Sequence, residues 1–216
     1  MPRVRRLPAD YAKNVFINCP FDDEYQPLFY AIVFAVNDIG FRPKSAKDES
    51  NAGETRFNKI QDLIEECKYS IHDISRTDID VVTGLPRFNM PLELGLDLGC
   101  KRYGKPYLQE KVMLILDVEQ FRYRDFISDI AGQDIKAHRA EQAEVINIVR
   151  NWLRLELDPK LVITPGGAVI YERHTRFQTT LPAIAAKLSW DINNLPFSDF
   201  CWAVADWIDN NPLSKP

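Results

Sequence analysis

The sequence predicts an α/β fold, in which helices flank an open parallel sheet of about five strands and a helical C-terminal extension follows. Two observations lead to this fold class. The first two-thirds of the 216 residues alternates strand-like and helix-like segments. The strand-like segments are apolar on both faces, which is typical of buried parallel strands. Helices between such strands supply the right-handed crossovers that the sheet needs.

Hydrophobic runs and turn residues set the order of the predicted elements. Strands are expected at residues 14–18, 41–45, 69–74, 112–117 and 134–137. Helices are expected at 27–38 and 56–67, after Met90, and at 141–157, 179–190 and 199–208, with a turn at 165–167. Trp152 and Leu155 are expected on the buried face of the helix at 141–157. These elements divide the chain into a tail at 1–13, an α/β domain at 14–157 and a helical extension at 158–216.

The last predicted helix carries an apolar stripe at helical spacing. Its members are Phe200, Ala203, Val204, Trp207 and Ile208. Such a stripe either packs on its own domain or forms the surface of a homo-oligomer, and the sequence leaves both open.

Composition and charge exclude several classes of protein. The formal net charge of −4 gives no reason to expect nucleic-acid binding, and the basic cluster Arg3, Arg5 and Arg6 is expected to be a solvated tail. No apolar run approaches the roughly 20 residues of a membrane-spanning helix, and a secretory signal is lacking. Four scattered cysteines without CxxC spacing indicate reduced thiols rather than zinc ligands or disulfides. A cytoplasmic protein without a membrane partner is therefore expected.

Polar side chains gather in the loops at the carboxyl ends of the predicted strands, where open parallel sheets bind their ligands. The candidates in these loops are Asn18, Asp22, Arg56, Asp73, Arg87, Asn89 and Glu93. Asp22 is equally suited to capping the helix that follows it. His72 lies within a strand and is expected to be a structural group rather than a base.

Glu93 lies in the first turn of the helix predicted after Met90. A carboxylate there is either a surface group stabilised by the helix dipole or a catalytic group. The chain has no GxGxxG or GxxxxGK[ST] phosphate loop and no GxSxG nucleophile elbow. With these motifs excluded, the sequence favours a site built on a carboxylate, with neighbouring side chains that can bind hydroxyl and phosphate groups.

Two segments carry a resemblance to known families. Glu93-Leu94-Gly95, followed by Gly99 and then by Gly104-Lys105-Pro106 and a hydrophobic strand, resembles the ELG…GKP segment of nucleoside 2-deoxyribosyltransferase-like proteins. The run VFINCPFD at 15–22 is similar to the first-strand box of Toll/interleukin-1 receptor (TIR) domains. The resemblance covers roughly residues 14–117. It implies a flavodoxin-like sheet and cleavage of N-glycosidic bonds, the reaction of the enzymatic members of both groups.

The resemblance also implies roles for the candidate residues. Glu93 would be the catalytic carboxylate, because cleavage of a C1′–N bond develops oxocarbenium-like charge that a carboxylate stabilises or traps. Asp73 and Asn89 are candidates for the sugar hydroxyls, and Arg56 and Arg87 are candidates for phosphate. Asn18 and Asp22 complete the expected substrate-binding set.

The approach to Glu93 departs from the deoxyribosyltransferase pattern. Residues 84–91, GLPRFNMP, replace the usual Asp-Gly-Thr-like segment. The added Arg87 favours a phosphorylated ligand such as NAD, acting as substrate and not as cofactor, over a free nucleoside.

Two further functions stay open beside that of an N-glycosidase. The same cleft suits a non-catalytic TIR-like module that binds a nucleotide signal or a partner protein. The aromatic C-terminal helix suits a scaffold. A role as a bacterial defence effector follows from family analogy alone.

Overall fold

A computed structural model gives the positions of residues 7–47, 53–77, 79, 84–158 and 164–213. Its strands are β1 (Asn14–Asn18), β2 (Arg42–Lys44), β3 (Tyr69–Asp73), β4 (Val112–Asp117) and β5 (Lys136–Ala137). Its α-helices are α1 (Gln26–Asp38), α2 (Arg56–Glu66), α3 (Asn89–Tyr103), α4 (Gln142–Arg154), α5 (Gly167–Leu188) and α6 (Phe197–Asn210). Arg3, Arg5 and Arg6 lie outside the described residues.

The five strands form one parallel sheet in the order β2-β1-β3-β4-β5. This arrangement confirms the predicted fold class and places β1, β3 and β4 in the interior of the sheet. Every residue of β1 and β3 is buried, as expected for parallel strands in a sheet flanked by helices. Asn18 pairs with His72, and Asp73 pairs with Leu116.

The chain forms two compact units, each built from two stretches of sequence. The first unit contains residues 1–20 and 44–137, and the second contains residues 21–43 and 138–216. The domain boundaries predicted at 14–157 and 158–216 remain predictions.

In the first unit, α3 takes part in two apolar clusters. One cluster joins Phe16 of β1 to Ile64 of α2, and Leu96 of α3 packs against it. The other cluster joins Leu94 of α3 to Ile115 of β4. Because these contacts fix the rotation of α3 about its axis, they also fix the direction of its polar side chains.

The second unit is held together by aromatic side chains of α1, α5 and α6. Tyr30 stacks on Phe200 with ring centroids 3.9 Å apart. Phe34 lies 5.5 Å from Phe177 and 5.8 Å from Trp207, also measured between centroids. Of the apolar stripe predicted in the last helix, only Ile208 is not fully buried. The stripe therefore packs within its own unit.

Two predictions for the C-terminal part of the chain are wrong. The buried face of α4 carries Val145, Ile146, Val149 and Leu153, whereas Trp152 is half-buried and Leu155 lies beyond the end of the helix, 77% exposed. The helix predicted at 179–190 begins at Gly167, twelve residues earlier. A Cβ at Gly167 would lie 2.6 Å from Oδ1 of Asn147, so this glycine permits a close approach of α5 to α4 rather than a separate turn.

Candidate functional site

The candidate site lies in the first unit, at the carboxyl ends of β1 and β3. The strand order reverses between these two neighbours, since β2 lies on one side of β1 and β3 on the other. Open parallel sheets bind ligands at such a point. Asn18 ends β1 and Asp73 ends β3, so the sheet brings these two predicted residues to the same edge.

The start of α3 is attached to this edge by Asn18. Nδ2 of Asn18, a side chain only 3% exposed, donates a hydrogen bond to the backbone oxygen of Met90 at 3.2 Å. The helix begins at Asn89, so Asn89 and Glu93 share one face, as their spacing predicts for an early helix start. Glu93 consequently lies in the second turn of α3 and not in the first.

Glu93 is a buried carboxylate. Its side chain is 7% exposed, which excludes the alternative of an ordinary surface charge. Burial raises the pKa of Glu93 to about 7, while the positive charge of Arg56 acts in the opposite direction. Both the neutral acid and the carboxylate are therefore populated near neutral pH, a property more frequent at functional sites than elsewhere.

Arg56 is the first residue of α2 and is exposed. The side chain of Thr55 accepts a hydrogen bond from the backbone N–H of Asn58 at 3.1 Å and so caps this helix. The cap stabilises the start of α2 and therefore the backbone position of Arg56, whose charge acts on Glu93.

Asp73 and Asp117 lie at the ends of neighbouring strands. Oδ1 of Asp73 accepts a hydrogen bond from the backbone N–H of Ser75 at 2.9 Å. Burial raises the pKa of Asp117, the hydrogen bond from Arg122 lowers it, and the charge of Asp73 raises it further. Asp73 thus contributes negative charge to this edge of the sheet.

Arg122 joins the segments that follow β3 and β4. Its guanidinium donates to Oδ1 of Asp117 at 2.7 Å and to the backbone oxygens of Ile74 and Ser75 at 3.1 and 2.7 Å. This arginine therefore stabilises the carboxyl edge of the sheet without being one of the residues predicted from the sequence.

The remaining candidates are placed differently. Asn89 and Arg87 are exposed, at the first position of α3 and in the loop before it. Asp22 belongs to the second unit, where its Oδ1 accepts a hydrogen bond from the backbone N–H of Tyr25 at 2.9 Å. That bond closes the turn that leads into α1. Asp22 therefore stabilises the approach to the helix, although Tyr25 and not Asp22 occupies the N-cap position.

A buried polar chain beneath the site was largely missed by the sequence analysis. It runs from Asn18 through His72 to Asp97 and Lys111. Nδ2 of Asn18 lies 3.0 Å from Nδ1 of His72, and Nε2 of His72 lies 3.0 Å from Oδ2 of Asp97. Nζ of Lys111 lies 3.3 Å from Oδ1 of Asp97. Both ring nitrogens of His72 thus have polar partners, as expected for a structural histidine, and the structural role itself stays a prediction.

The charges and hydrogen bonds around these four buried polar side chains favour an ionised Asp97. Burial alone raises the pKa of Asp97, but the hydrogen bond from His72 and the charge of Lys111 outweigh it and hold the pKa below its ordinary value. The signal available in the sequence was the spacing of Asn89, Glu93 and Asp97, which repeats every four residues along one helix face.

Other features bear on the class of protein. Over the described ranges, no group of three or more His, Cys, Asp or Glu side chains is arranged to hold a metal ion. The four cysteines lie within the described ranges and form no disulfide. None of the described helices has the length and apolar character needed to cross a membrane.

Comparison of the chain with family models, curated proteins and solved structures finds no match.

Proposed function

We propose that this protein is an N-glycosidase that cleaves the ribosyl–base bond of NAD or a related nucleotide. The observation that carries the proposal is the buried carboxylate of Glu93, with a pKa raised to about 7, near the charge of Arg56 at the carboxyl edge of the sheet. The resemblance of the segment that begins at Glu93 to deoxyribosyltransferase-like sequences points to the same residue.

The proposed reaction suits a carboxylate in a poorly solvated position. When the C1′–N bond breaks, its electron pair leaves with the base and positive charge develops on the sugar. A water oxygen then bonds to C1′ and releases a proton. An ionised Glu93 would stabilise the transient charge, and its burial strengthens that interaction by lowering the local dielectric constant.

The raised pKa of Glu93 bears on the choice of substrate. Nicotinamide in NAD is a cationic ring that leaves as a neutral molecule, so its departure requires no proton from the protein. The cationic ring also favours the ionised form of a nearby carboxylate. A nucleoside base, in contrast, requires protonation as it leaves. NAD therefore matches an ionised Glu93 better.

The other candidate residues fit a ribosyl phosphate. Both protons of the Asn18 amide are used within the protein, so Asn18 can offer a ligand only its oxygen, which accepts from a hydroxyl. Asp73 and Asn89 suit further hydroxyls, and the exposed guanidinium groups of Arg56 and Arg87 suit phosphate. A contribution from Asp22 remains a prediction.

A non-catalytic nucleotide-binding module is the second candidate. At a pKa of about 7, part of the Glu93 population is neutral near neutral pH. A neutral carboxyl group does not stabilise an oxocarbenium ion, and this favours binding without cleavage. Such a module would bind NAD or a nucleotide without turnover. A role in bacterial defence is a proposal that rests on family analogy. A cytoplasmic location is a proposal that rests on composition.

The test is incubation of the full-length protein with NAD and a panel of nucleosides and nucleotides, with products separated by mass spectrometry. We expect nicotinamide and ADP-ribose from NAD, and a loss of about two orders of magnitude or more in rate for Glu93→Gln. Glu119→Gln is the matched control, because Glu119 is an exposed glutamate of the same unit. Full activity in a folded Glu93→Gln protein would refute the mechanism, and saturable binding without products would identify the binding module.

A further inference from the structure

The buried chain of polar side chains ends at a backbone group of the helix that carries Glu93. Lys111, Asp97 and His72 lead to Asn18, and the amide of Asn18 donates to the backbone oxygen of Met90 at 3.2 Å. We infer that Asn18 is a positioning residue whose amide, oriented by His72, holds the first turn of α3 and thereby the carboxylate of Glu93. That this positioning serves catalysis rests on the proposed function, whereas the structural role of Asn18 does not.

The orientation of the Asn18 amide follows from its acceptors. A backbone carbonyl can only accept, so the group 3.2 Å from the oxygen of Met90 is the NH₂ of Asn18 and not its oxygen. The second proton of that NH₂ is directed to Nδ1 of His72, which must then be unprotonated. The proton of a neutral His72 lies on Nε2 and is donated to Asp97.

The first turn of α3 needs such an attachment because its own cap is weak. Phe88 occupies the N-cap position and provides no side-chain hydrogen bond to the helix. Ser, Thr, Asp or Asn at this position would normally satisfy one of the free N–H groups and stabilise the start of the helix. The hydrogen bond from β1 therefore fixes a helix end that its local sequence leaves poorly fixed, three residues before Glu93.

The chain offers a matched control for this inference. Asn14 lies at the other end of β1, is also 3% exposed, and also donates through Nδ2 to two acceptors, the backbone oxygens of Glu66 at 3.0 Å and Ala9 at 3.4 Å. Asn14→Leu and Asn18→Leu both replace a buried amide with an apolar side chain of similar shape. Only Asn18→Leu removes a contact with α3.

The first measurement is amide hydrogen exchange in the full-length protein without substrate. In Asn18→Leu we expect the protection factors of the Glu93 and Leu94 amides to fall more than those of the β4 amides. The expected excess is about tenfold, because the loss of one buried hydrogen bond changes a local opening equilibrium by about that factor. Asn14→Leu is expected to change global protection without this local excess. Unchanged protection at the start of α3, or an equal local loss in both variants, would overturn the inference.

A second measurement follows the side chain of Glu93 itself. Carbon-13 NMR titration of the carboxyl group is expected to give a midpoint closer to the ordinary glutamate value in Asn18→Leu, because a loosened helix start admits water. If Asn18→Leu does not fold, Asn18→Asp and Asn14→Asp provide the same comparison by hydrogen exchange. Asp keeps the shape of Asn, and its ionised form cannot donate to the oxygen of Met90, so this comparison is made at a pH well above the carboxyl pKa.

Kinetics separates positioning from substrate binding. If the protein cleaves NAD, we expect Asn18→Leu to lower kcat by about tenfold and to change KM less. A rise in KM alone would overturn the positioning role. If the unaltered protein shows no turnover, the proposed function fails, whereas the exchange and titration results still decide whether Asn18 holds the start of α3.

Discussion

Asp97 and Lys111 form an ion pair in which both side chains are wholly buried, with Nζ 3.3 Å from Oδ1. Lys111 also donates to the backbone oxygens of Ile64 at 2.8 Å and Cys67 at 2.5 Å. The pair therefore joins α3 to the end of α2 and to the residue that precedes β4. Backbone carbonyl groups contact the Lys111 ammonium and His72 contacts the Asp97 carboxylate, so the loss of either partner leaves the other charge buried without its counter-charge.

Replacing Lys111 with Met tests the importance of this pair. We expect Lys111→Met to lower the free energy of unfolding by about 3–5 kcal/mol, the usual cost of leaving one buried charge without its partner. Lys105→Met is the matched control, since Lys105 pairs with Glu65 at 2.6 Å but both side chains are substantially exposed. That change should cost at most about 1 kcal/mol. Urea unfolding measures both values, and equal losses would contradict the prediction.

Glu93 is expected to make the protein less stable as the pH rises towards neutrality. Its pKa is about 7 in the folded protein, above the ordinary value of 4.5. Between these values the folded protein keeps a proton that the unfolded chain has released, so the free energy of unfolding decreases with rising pH. The total decrease is on the order of 3 kcal/mol and is complete above the folded pKa.

Glu93→Gln removes this titration. Urea unfolding at about pH 5 and about pH 8 should show a smaller pH dependence in Glu93→Gln than in the parent protein and in the Glu119→Gln control. The substitution should also stabilise the protein at the higher pH. An unchanged dependence would show that Glu93 is well hydrated.

His174 has the opposite effect on the acid side. It is fully buried beside Phe34, with 5.3 Å between ring centroids, and neither ring nitrogen has a hydrogen-bond partner among the described residues. Burial lowers the pKa of His174 from 6.5 to about 4. Between these values the unfolded chain binds a proton that the folded protein does not, so stability falls as the pH falls.

His174→Leu should abolish this part of the acid sensitivity. The parent protein is expected to lose on the order of 2–3 kcal/mol between about pH 7 and about pH 4 through this residue. Unfolding curves of parent and variant over that range provide the comparison. A slope as steep in His174→Leu as in the parent would assign the acid sensitivity to other groups.

Two glycines in helices should respond oppositely to substitution by Ala. At Gly167 a Cβ would lie 2.6 Å from Oδ1 and 3.0 Å from Cα of Asn147, so we expect Gly167→Ala to destabilise the protein by about 1–3 kcal/mol. At Gly95 nothing lies within 4 Å of the added Cβ. Gly95→Ala should therefore stabilise α3 by about 0.5–1 kcal/mol. Thermal unfolding of the two variants tests the contrast, and shifts in the same direction would contradict it.

The sheet could be predicted in some detail because its signals are local. β1 and β4 have the predicted bounds, since continuous apolar runs between turn residues leave little choice of register. The start of α5 could not be predicted in the same way. Gly166 and Gly167 have the composition of a turn, and only the approach of Asn147 explains why a helix begins with them.

The candidate site was predictable where strand ends and helix starts determine position. The sheet topology places Asn18 and Asp73 at the ends of neighbouring strands. Burial of Glu93 and the roles of Asp97 and Lys111 depend on which helix face meets the strands, which in turn depends on apolar contacts such as that of Leu94 with Ile115. Such contacts join residues far apart in the sequence, and no local pattern reveals them.

The discontinuous second unit has a consequence for synthesis of the chain on the ribosome. Eight of the 13 residues of α1 are buried, and α4, α5 and α6 of the same unit follow α1 only after about 100 further residues. At ordinary translation rates those residues take about 5–20 s to add. During that interval the nascent chain exposes its most apolar helix without the helices of its own unit, so α1 is the segment where chaperone binding or aggregation should begin.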